Sequence, residues 1–210
     1  DMPEGKTDWD LKHFSLSQDL KDVVPVMQEI MSLHPDIWVM ASPWSAPAWM
    51  KEEYDVRGPK LRRDCYDVYA RYLAKYVTEM GKKGIRIDAL TIQNEPLNSR
   101  NTPSMPWSPE DQKVFLRDYL GPEFARQGIG TDILLFSTQM SAGTDPAFHP
   151  GHGTVCMHGQ YEKGTNRFVP EGAEPADYGI DFYAPQTLKT PDGRRVMIGW
   201  MQNWDTCNLH

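Results

Sequence analysis

Apolar residues recur at helical spacing in three segments of the region 18–136. In residues 25–33 and 64–84 they repeat every three or four positions, which predicts two amphipathic helices. A third helix is predicted from the run SPED at 108–111 to about Leu120. That run combines a capping serine, a proline in the first helical position and two acids in the first turn.

Short, continuously apolar segments alternate with these helices. They are IWVMA (37–41), IDALTI (87–92) and TDILLF (131–136). Continuous apolar character bounded by polar residues is typical of strands that are buried on both faces. The alternation of strands and helices predicts a parallel α/β fold, in which functional residues gather in the loops after the carboxyl ends of the strands.

The pattern changes after Phe136, where helical spacing disappears. GTVCMHGQY (153–161) predicts one strand, and DFYAPQTLK (181–189) and RRVMIGWMQ (194–202) predict two more. The run TPDG at 190–193 is a strong turn signal between the last two strands. This part of the chain therefore reads as antiparallel β-hairpin sequence.

Two segments are predicted, an α/β segment at 1–136 and a β segment at 137–210. The net charge of −7 and the absence of a basic run argue against nucleic acid and anionic membrane surfaces as partners. No apolar stretch approaches the roughly 18 residues of a spanning helix, so membrane insertion is not expected. The N-terminus DMPEGKTDWD is acidic and polar, unlike a signal peptide, and resembles the interior of a longer protein or a processed start.

Cysteine and histidine are not arranged for disulfide or metal chemistry. Cys65, Cys156 and Cys207 are odd in number and far apart, so three free thiols are expected. His149 and His152 lie in FHPGHG without a cysteine or carboxylate at ligand spacing. No metal site and no cofactor are therefore predicted.

The strongest chemical signal is the run QNEP directly after the strand at 87–92. Glu95 would be aimed by a rigid strand, and Asn94 beside it can bond a hydroxyl. Trp44 follows the neighbouring strand, and Trp107 lies close in sequence. A carboxylate, an amide and aromatic surfaces together suit a sugar, through acid/base chemistry, hydroxyl recognition and stacking. The alternative is an exposed loop carboxylate beside core tryptophans.

Residues of roughly 9–136 resemble glycoside hydrolase family 30. The resemblance is carried in order by HFSLSQDL, VMASPWSAPAWMK, LTIQNEPLNSRNTPSM and ILLF. The wording QNEPLN…NTPSM is most similar to the bacterial β-1,6-glucanase branch, with the glucosylceramidase branch as the close relative. The resemblance implies a (β/α)8 barrel and a retaining mechanism that uses two glutamates.

By this resemblance Glu95 is the general acid/base, Asn94 holds the 2-hydroxyl of the sugar and Trp44 lines the sugar subsite. The family places its nucleophilic glutamate in a late barrel strand, for which this chain has no counterpart. About three of the eight β/α units are present. The acids after residue 136 do not match that motif, and they are Glu162, Glu171, Glu174, Asp177, Asp181, Asp192 and Asp205.

Residues of about 137–210 resemble glycoside hydrolase family 32. GTVCMHGQY and DYGIDFYAPQTLKTPDGRRVMIGWMQNWDT are similar to the middle of bacterial sucrose-6-phosphate hydrolases and levanases. The resemblance implies a five-bladed β-propeller acting on β-fructosyl bonds, with Asp181, Tyr183 and Trp200 near its sugar pocket. The alternative is that both aromatic residues are hairpin core and that Asp181 is a strand-end acceptor. None of the family's three acidic motifs occurs here.

Three functions remain open. The first is a β-glucoside hydrolase that uses Glu95 on β-1,6-glucan or glucosylceramide-like substrates, and the second is a β-fructosidase. The third is a chimeric or truncated chain without catalysis, because a partial barrel leaves unpaired strand edges. In each case the expected partner is an oligo- or polysaccharide. The two family resemblances are compatible with an extracellular or periplasmic location.

Overall fold

The computed structural model describes residues 2–134, 154–162, 164, 167–176 and 182–201. The chain divides into two compact units, with the division at 140/141. The predicted boundary at 136/137 lies outside the described residues.

The first unit is built around a three-stranded parallel sheet with the order β1-β2-β3. This arrangement confirms the predicted parallel α/β pattern. Two short 3₁₀ turns lie at Ala48–Met50 and Arg63–Cys65. The helices and strands are α1 (Val23–Leu33), β1 (Met40–Ala41), α2 (Tyr66–Lys82), β2 (Ala89–Thr91), α3 (Pro109–Phe115), α4 (Gly121–Gln127) and β3 (Asp132–Leu134).

The strands are shorter than the apolar runs that predicted them. At the start of β1 the side chain of Asp88 replaces a backbone acceptor of the sheet, because its Oδ2 accepts the N–H of Val39 at 2.8 Å. The carbonyl of Val39 in turn accepts the N–H groups of Asp88 and Ala89. Regular parallel pairing therefore starts only at Met40, opposite Ala89.

The helix α2 packs into the core of the first unit with one apolar face. Its fully or almost fully buried residues recur at three and four positions, and they include Tyr66, Tyr69, Leu73, Val77 and Met80. Beyond its end, Gly84 has a φ of +78° and the N–H of Ile85 returns to the carbonyl of Met80 at 3.1 Å. A glycine in the left-handed region is the usual way to end a helix, as the sequence predicted.

The third predicted helix forms, with a change of geometry in its middle. Ser108 caps it, because its Oγ accepts the N–H of Asp111 at 3.2 Å. A π-helical turn at Leu116–Leu120 separates α3 from α4. Pro122 lacks an N–H, and its ring would meet the carbonyl four residues earlier, which accounts for a widened turn near the proline.

Under this helical layer the core is rich in aromatic rings. Trp107 packs against Tyr66 and Phe115 with ring centroids 5.8 Å and 4.9 Å apart. Its indole N–H donates to the hydroxyl of Tyr66 at 3.0 Å. Aromatic pairs at these separations stabilise a core beyond their buried area.

The described residues of the second unit form two antiparallel hairpins. One pairs β4 (Val155–Glu162) with β5 (Arg167–Pro175), and the other pairs β6 (Tyr183–Lys189) with β7 (Arg195–Trp200). The predicted turn between β6 and β7 is confirmed, since Gly193 has a φ of +86° and donates to the carbonyl of Thr190. The strand β5 was not predicted from the sequence.

The described residues contain no helix that is long and apolar enough to cross a membrane. Within the same ranges, no cluster of His, Cys, Asp or Glu is arranged to hold a metal ion. Cys65 and Cys156 are free thiols, and burial raises the pKa of Cys65 to about 11. Cys207, His149 and His152 lie outside the described residues.

Candidate active site

The loops that follow β1 and β2 are joined to each other at the carboxyl edge of the sheet. The N–H of Asn94 donates to the carbonyl of Pro43 at 2.8 Å. The side-chain amide of Gln93 donates to the carbonyl of Trp44 at 2.8 Å and to that of Asn94 at 3.0 Å. These bonds bring the two loops that were singled out from the sequence to one place on the sheet.

Glu95 is half-buried directly after this junction, and both its backbone and its carboxylate are held. Its φ of +46° lies in the left-handed region, which is uncommon for a residue with a side chain. The Nδ2 groups of Asn98 and Asn101 donate to Oε2 at 2.9 Å and 2.5 Å. The N–H of Asn98 also donates to the carbonyl of Glu95 at 2.9 Å.

The two asparagines bind one carboxylate oxygen of Glu95 and do not bind the other. An amide nitrogen can only donate, so Oε2 must act as the acceptor in both bonds. Among the described residues Oε1 accepts no hydrogen bond. Asn98 is only 9 % exposed, and its own Oδ1 accepts the N–H of Arg100, which orients its amide.

Sequence reasoning missed Asn98 and Asn101. The run LNSRN after QNEP has the composition of a surface turn, where asparagine is common for conformational reasons alone. The signal that could have found them is their spacing of three and six residues after the carboxylate, within a loop that returns to the strand end.

The two tryptophans of the predicted sugar site have different surroundings. Trp44 is 46 % exposed on the loop after β1, so its ring is available to a ligand. Trp107 is 2 % exposed and its N–H is taken by Tyr66. The structure therefore corrects the prediction for Trp107, which belongs to the core rather than to a sugar surface.

The remaining predicted residues belong to the second unit. Tyr183 and Trp200 are register partners on β6 and β7. Trp200 is 68 % exposed, so it is not hairpin core, whereas Tyr183 is half-buried. Asp181 lies outside the described residues.

Gln93 leaves a polar atom unsatisfied beneath the site. The residue is 2 % exposed, and its Oε1 has no hydrogen-bond partner among the described residues. Two open grooves are found elsewhere on the first unit, and neither is lined by Asn94, Glu95 or Trp44.

Comparison with known proteins gives a family for most of the chain. Residues 2–148 match the glycosyl hydrolase family 30 TIM-barrel domain. An endo-1,6-beta-D-glucanase from Neurospora crassa is 33 % identical over 138 residues, which are 63 % of this chain and 29 % of that protein. The lysosomal acid glucosylceramidase of Mus musculus is 31 % identical over 144 residues, which are 63 % of this chain and 28 % of that protein.

Solved structures agree with this match. SrfJ from Salmonella typhimurium superposes with a TM-score of 0.59 at 37 % identity, over 61 % of this chain and 29 % of its own. The endo-beta1,6-glucanase BT3312 gives a TM-score of 0.61 at 32 % identity, over 65 % and 32 %. The chain thus spans about three tenths of the length of the relatives it matches.

The C-terminal part matches a second family. Residues 123–209 match the glycosyl hydrolase family 32 N-terminal domain. A probable sucrose-6-phosphate hydrolase from Psychromonas ingrahamii is 37 % identical over 70 residues, which are 33 % of this chain and 13 % of that protein. The two family matches overlap at 123–148, a range that includes the run LLF at 134–136.

The larger match decides the family of the chain. It extends over 147 of the 210 residues, from 2 to 148, and it coincides with the unit in which parallel strands alternate with helices. Parallel strands linked by helices are what a TIM barrel requires. The chain accordingly belongs to glycosyl hydrolase family 30, and it carries part of that family's TIM-barrel domain.

Proposed function

We propose that the chain supplies the general acid/base part of a retaining β-glucoside hydrolase site, with Glu95 as the acid/base. The observation that carries this proposal is the carboxylate of Glu95, which stands at the carboxyl end of the central strand with Oε2 held by two amides. The names of relatives favour β-1,6-glucan or glucosylceramide-like substrates.

The amide pair determines which oxygen of Glu95 would carry the proton. Because Asn98 and Asn101 both donate to Oε2, a proton on the carboxyl group belongs on Oε1. In a retaining mechanism this acid protonates the glycosidic oxygen as the bond to the sugar breaks. The same group then takes a proton from the water that hydrolyses the glycosyl-enzyme intermediate.

Asn94 and Trp44 would bind the sugar beside this carboxylate. Asn94 is half-buried with its backbone bonded to the loop after β1, so its amide is close to the strand end. The exposed ring of Trp44 offers an apolar face for the C–H groups of a pyranose. We propose that Asn94 bonds the 2-hydroxyl and that Trp44 stacks on the ring.

Retention also needs a second carboxylate about 5–5.5 Å from the first, which acts as the nucleophile. None of the acids after residue 136 occurs in the family's nucleophile motif. Asp192 is engaged in the turn of the second hairpin, where it accepts from Thr190 and Arg194. We therefore propose that Glu95 supplies one of the two required carboxylates.

A small external nucleophile can test the acid/base role without the second carboxylate. We expect the full chain to form α-glucosyl azide from azide and an aryl β-glucoside with a poor leaving group. The poor leaving group makes the step depend on protonation. Glu95→Gln should abolish product formation, as measured by chromatography and NMR of the product.

The matched control is Glu29→Gln, which changes an exposed glutamate on α1. Equal rates for wild type and Glu95→Gln would remove Glu95 from the mechanism. Hydrolysis of the glucoside by the wild type without azide would show that a second carboxylate is present in the chain. This hydrolysis should also disappear in Glu95→Gln.

The family 32 match favours a second candidate, a β-fructosidase activity located in the second unit. We propose that the β6–β7 hairpin corresponds to part of a propeller blade, with Asp181, Tyr183 and Trp200 as fructosyl contacts. An assay on sucrose tests this activity. If the wild type releases fructose and Trp200→Ala does not, the β-fructosidase function is favoured over the β-glucosidase function. Binding of a β-1,6-gluco-oligosaccharide by calorimetry, without turnover of either sugar, would instead indicate a non-catalytic carbohydrate-binding chain.

A further inference from the structure

Lys51 is a buried lysine next to the candidate site. It is 3 % exposed and follows the 3₁₀ turn after β1. Its Nζ donates to the carbonyl of Ser104 at 2.8 Å. No carboxylate forms an ion pair with Lys51 in the described part of the chain. Burial lowers the pKa of Lys51 to about 8, although the charge of Asp55 partly opposes the shift.

The partner of Lys51 is the most connected residue of its loop. The N–H of Ser104 donates to the carbonyl of Val56 at 2.9 Å, and its Oγ donates to the carbonyl of Ser99 at 3.1 Å. The N–H of Gly58 reaches both the Oγ of Ser104 at 3.0 Å and its carbonyl at 3.2 Å. Ser104 thus ties the loop 52–60 to the loop that begins at Glu95.

Both loops are closed at their bases, so the tie between them fixes their shape. The N–H of Trp107 donates to the carbonyl of Pro96 at 2.7 Å, which closes the loop 96–107. The N–H of Arg62 donates to the carbonyl of Met50 at 2.9 Å, which closes the loop that contains 52–60. The asparagines that hold Glu95 lie within the first of these closed loops.

We propose that Lys51 is a positioning residue for Glu95. By holding Ser104, it fixes the loop 96–107 in the shape in which Asn98 and Asn101 both reach Oε2 of Glu95. Oε1 is then left toward the substrate side. The link from this positioning to catalysis rests on the acid/base role proposed above.

The chemistry of a buried lysine supports an ordering role. Burying an ammonium group without an ion pair costs free energy, whereas methionine would fill a similar volume without that cost. What methionine cannot do is donate a hydrogen bond to a backbone carbonyl. The function of Lys51 is therefore to be sought in the bond to Ser104 and in the loop that this bond holds.

The coupling between Lys51 and Glu95 can be measured by NMR on the isotope-labelled full chain. Glu95→Gln replaces the charged acceptor of two side-chain amides, so it should shift the Nδ2H₂ signals of Asn98 and Asn101. The same substitution is then made in Lys51→Met and in Lys51→Arg. We expect the response in Lys51→Met to fall to the level of backbone amides in α2, and Lys51→Arg, which keeps the donors, to restore it.

The matched control is Lys60→Met, because Lys60 is exposed on the same loop. A full response in folded Lys51→Met, or an equal loss in Lys60→Met, would overturn the proposal. If Lys51→Met does not fold, Lys51→Gln decides, since its shorter side chain stays polar but no longer reaches the carbonyl of Ser104. An unchanged response there would overturn the proposal as well.

These readouts are independent of turnover. Loss of the amide response without any azide product from the wild type would support the positioning role and refute the catalytic one. Azide product from the wild type, together with an unchanged response in Lys51→Met, would support the catalytic role and refute the positioning one.

Discussion

At the scale of single residues, Glu95 illustrates what a strand end can and cannot predict. Its position follows from the apolar run that precedes it, because that run fixes where β2 stops. The bonds from Asn98 and Asn101 could not be predicted, since they depend on the backbone angles of an irregular loop, including the φ of +46° at Glu95 itself. A non-glycine residue in that region costs on the order of 1–3 kcal/mol unless its surroundings hold it.

The two tryptophans also show that local sequence does not predict every contact of a side chain. Trp44 and Trp107 were predicted to share a role, because Trp44 follows the neighbouring strand and Trp107 lies close in sequence to Glu95. Their exposures of 46 % and 2 % differ because the indole N–H of Trp107 has a buried acceptor in Tyr66. That acceptor comes from α2, forty-one residues earlier, and no local pattern encodes the contact.

Lys51 gives a stability prediction of its own. Its pKa is about 8 in the folded chain against an ordinary value of 10.5, so the unfolded chain holds this proton more tightly. Between about pH 8 and pH 10.5 unfolding takes up a proton, and the free energy of unfolding therefore rises with pH in this window. From pH 7 to pH 9.5 we expect the wild type to gain on the order of 1–2 kcal/mol of stability relative to Lys51→Met, measured by urea unfolding of both.

The comparison needs a control for other groups. Burial raises the pKa of Cys65, Tyr66 and Tyr72, which lowers stability above the unfolded values near pH 9 for the thiol and near pH 10 for the phenols, equally in every variant. Lys60→Met should keep the wild-type dependence on pH. If the free energy of unfolding depends on pH identically in the wild type and in Lys51→Met, the lowered pKa of Lys51 is contradicted.

At the scale of elements, the sequence predicted those whose ends carry a chemical signal. The cap at Ser108 and the turn at Gly193 were predicted in place. The strand β5 was missed because Pro170 and Gly172 argue against a strand interior. Among the described strands β5 pairs with β4 alone, which leaves an edge that tolerates proline. A Cβ at Gly172 would lie 2.6 Å from the ring of His158, so a larger residue there would require that ring to move.

Two glycines near the end of α2 predict opposite effects of the same substitution. Gly81 lies inside the helix, and no atom stands within 4 Å of the place where its Cβ would be, whereas Gly84 has a φ of +78°. Gly81→Ala should raise the free energy of unfolding by about 0.5–1 kcal/mol, because alanine is the better helix former. Gly84→Ala should lower it by about 1–2 kcal/mol, because alanine is strained in the left-handed region.

Urea unfolding of both variants beside the wild type measures this pair. Each substitution adds one methyl group to open space, so each serves as the packing control for the other. The same sign of change in both variants would show that backbone conformation does not determine the end of α2.

At the scale of the whole molecule, the chain carries matches to parts of two hydrolase families. The described residues of the first unit form three parallel strands, whereas a closed barrel has eight, so β1 is an edge strand of the described sheet. Apolar side chains that a closed barrel would cover are exposed here, among them Trp38 at 56 % and Met40 at 46 %. The order of strands was predictable from the sequence, and the open edge follows from the number of β/α units.

The open edge predicts self-association of the chain. An edge strand with exposed apolar side chains is a template for pairing with a second copy, and a charge placed on it opposes that pairing. We expect Met40→Lys to lower the weight-average mass in light scattering at high protein concentration, with no loss of α2 signals in NMR spectra. The control is Leu33→Lys, because Leu33 is 80 % exposed but lies at the end of α1 and outside the sheet. If Leu33→Lys reduces association as much as Met40→Lys does, general surface hydrophobicity drives the association. A larger reduction by Met40→Lys locates the contact at β1, which is the position where a barrel would add its preceding strand.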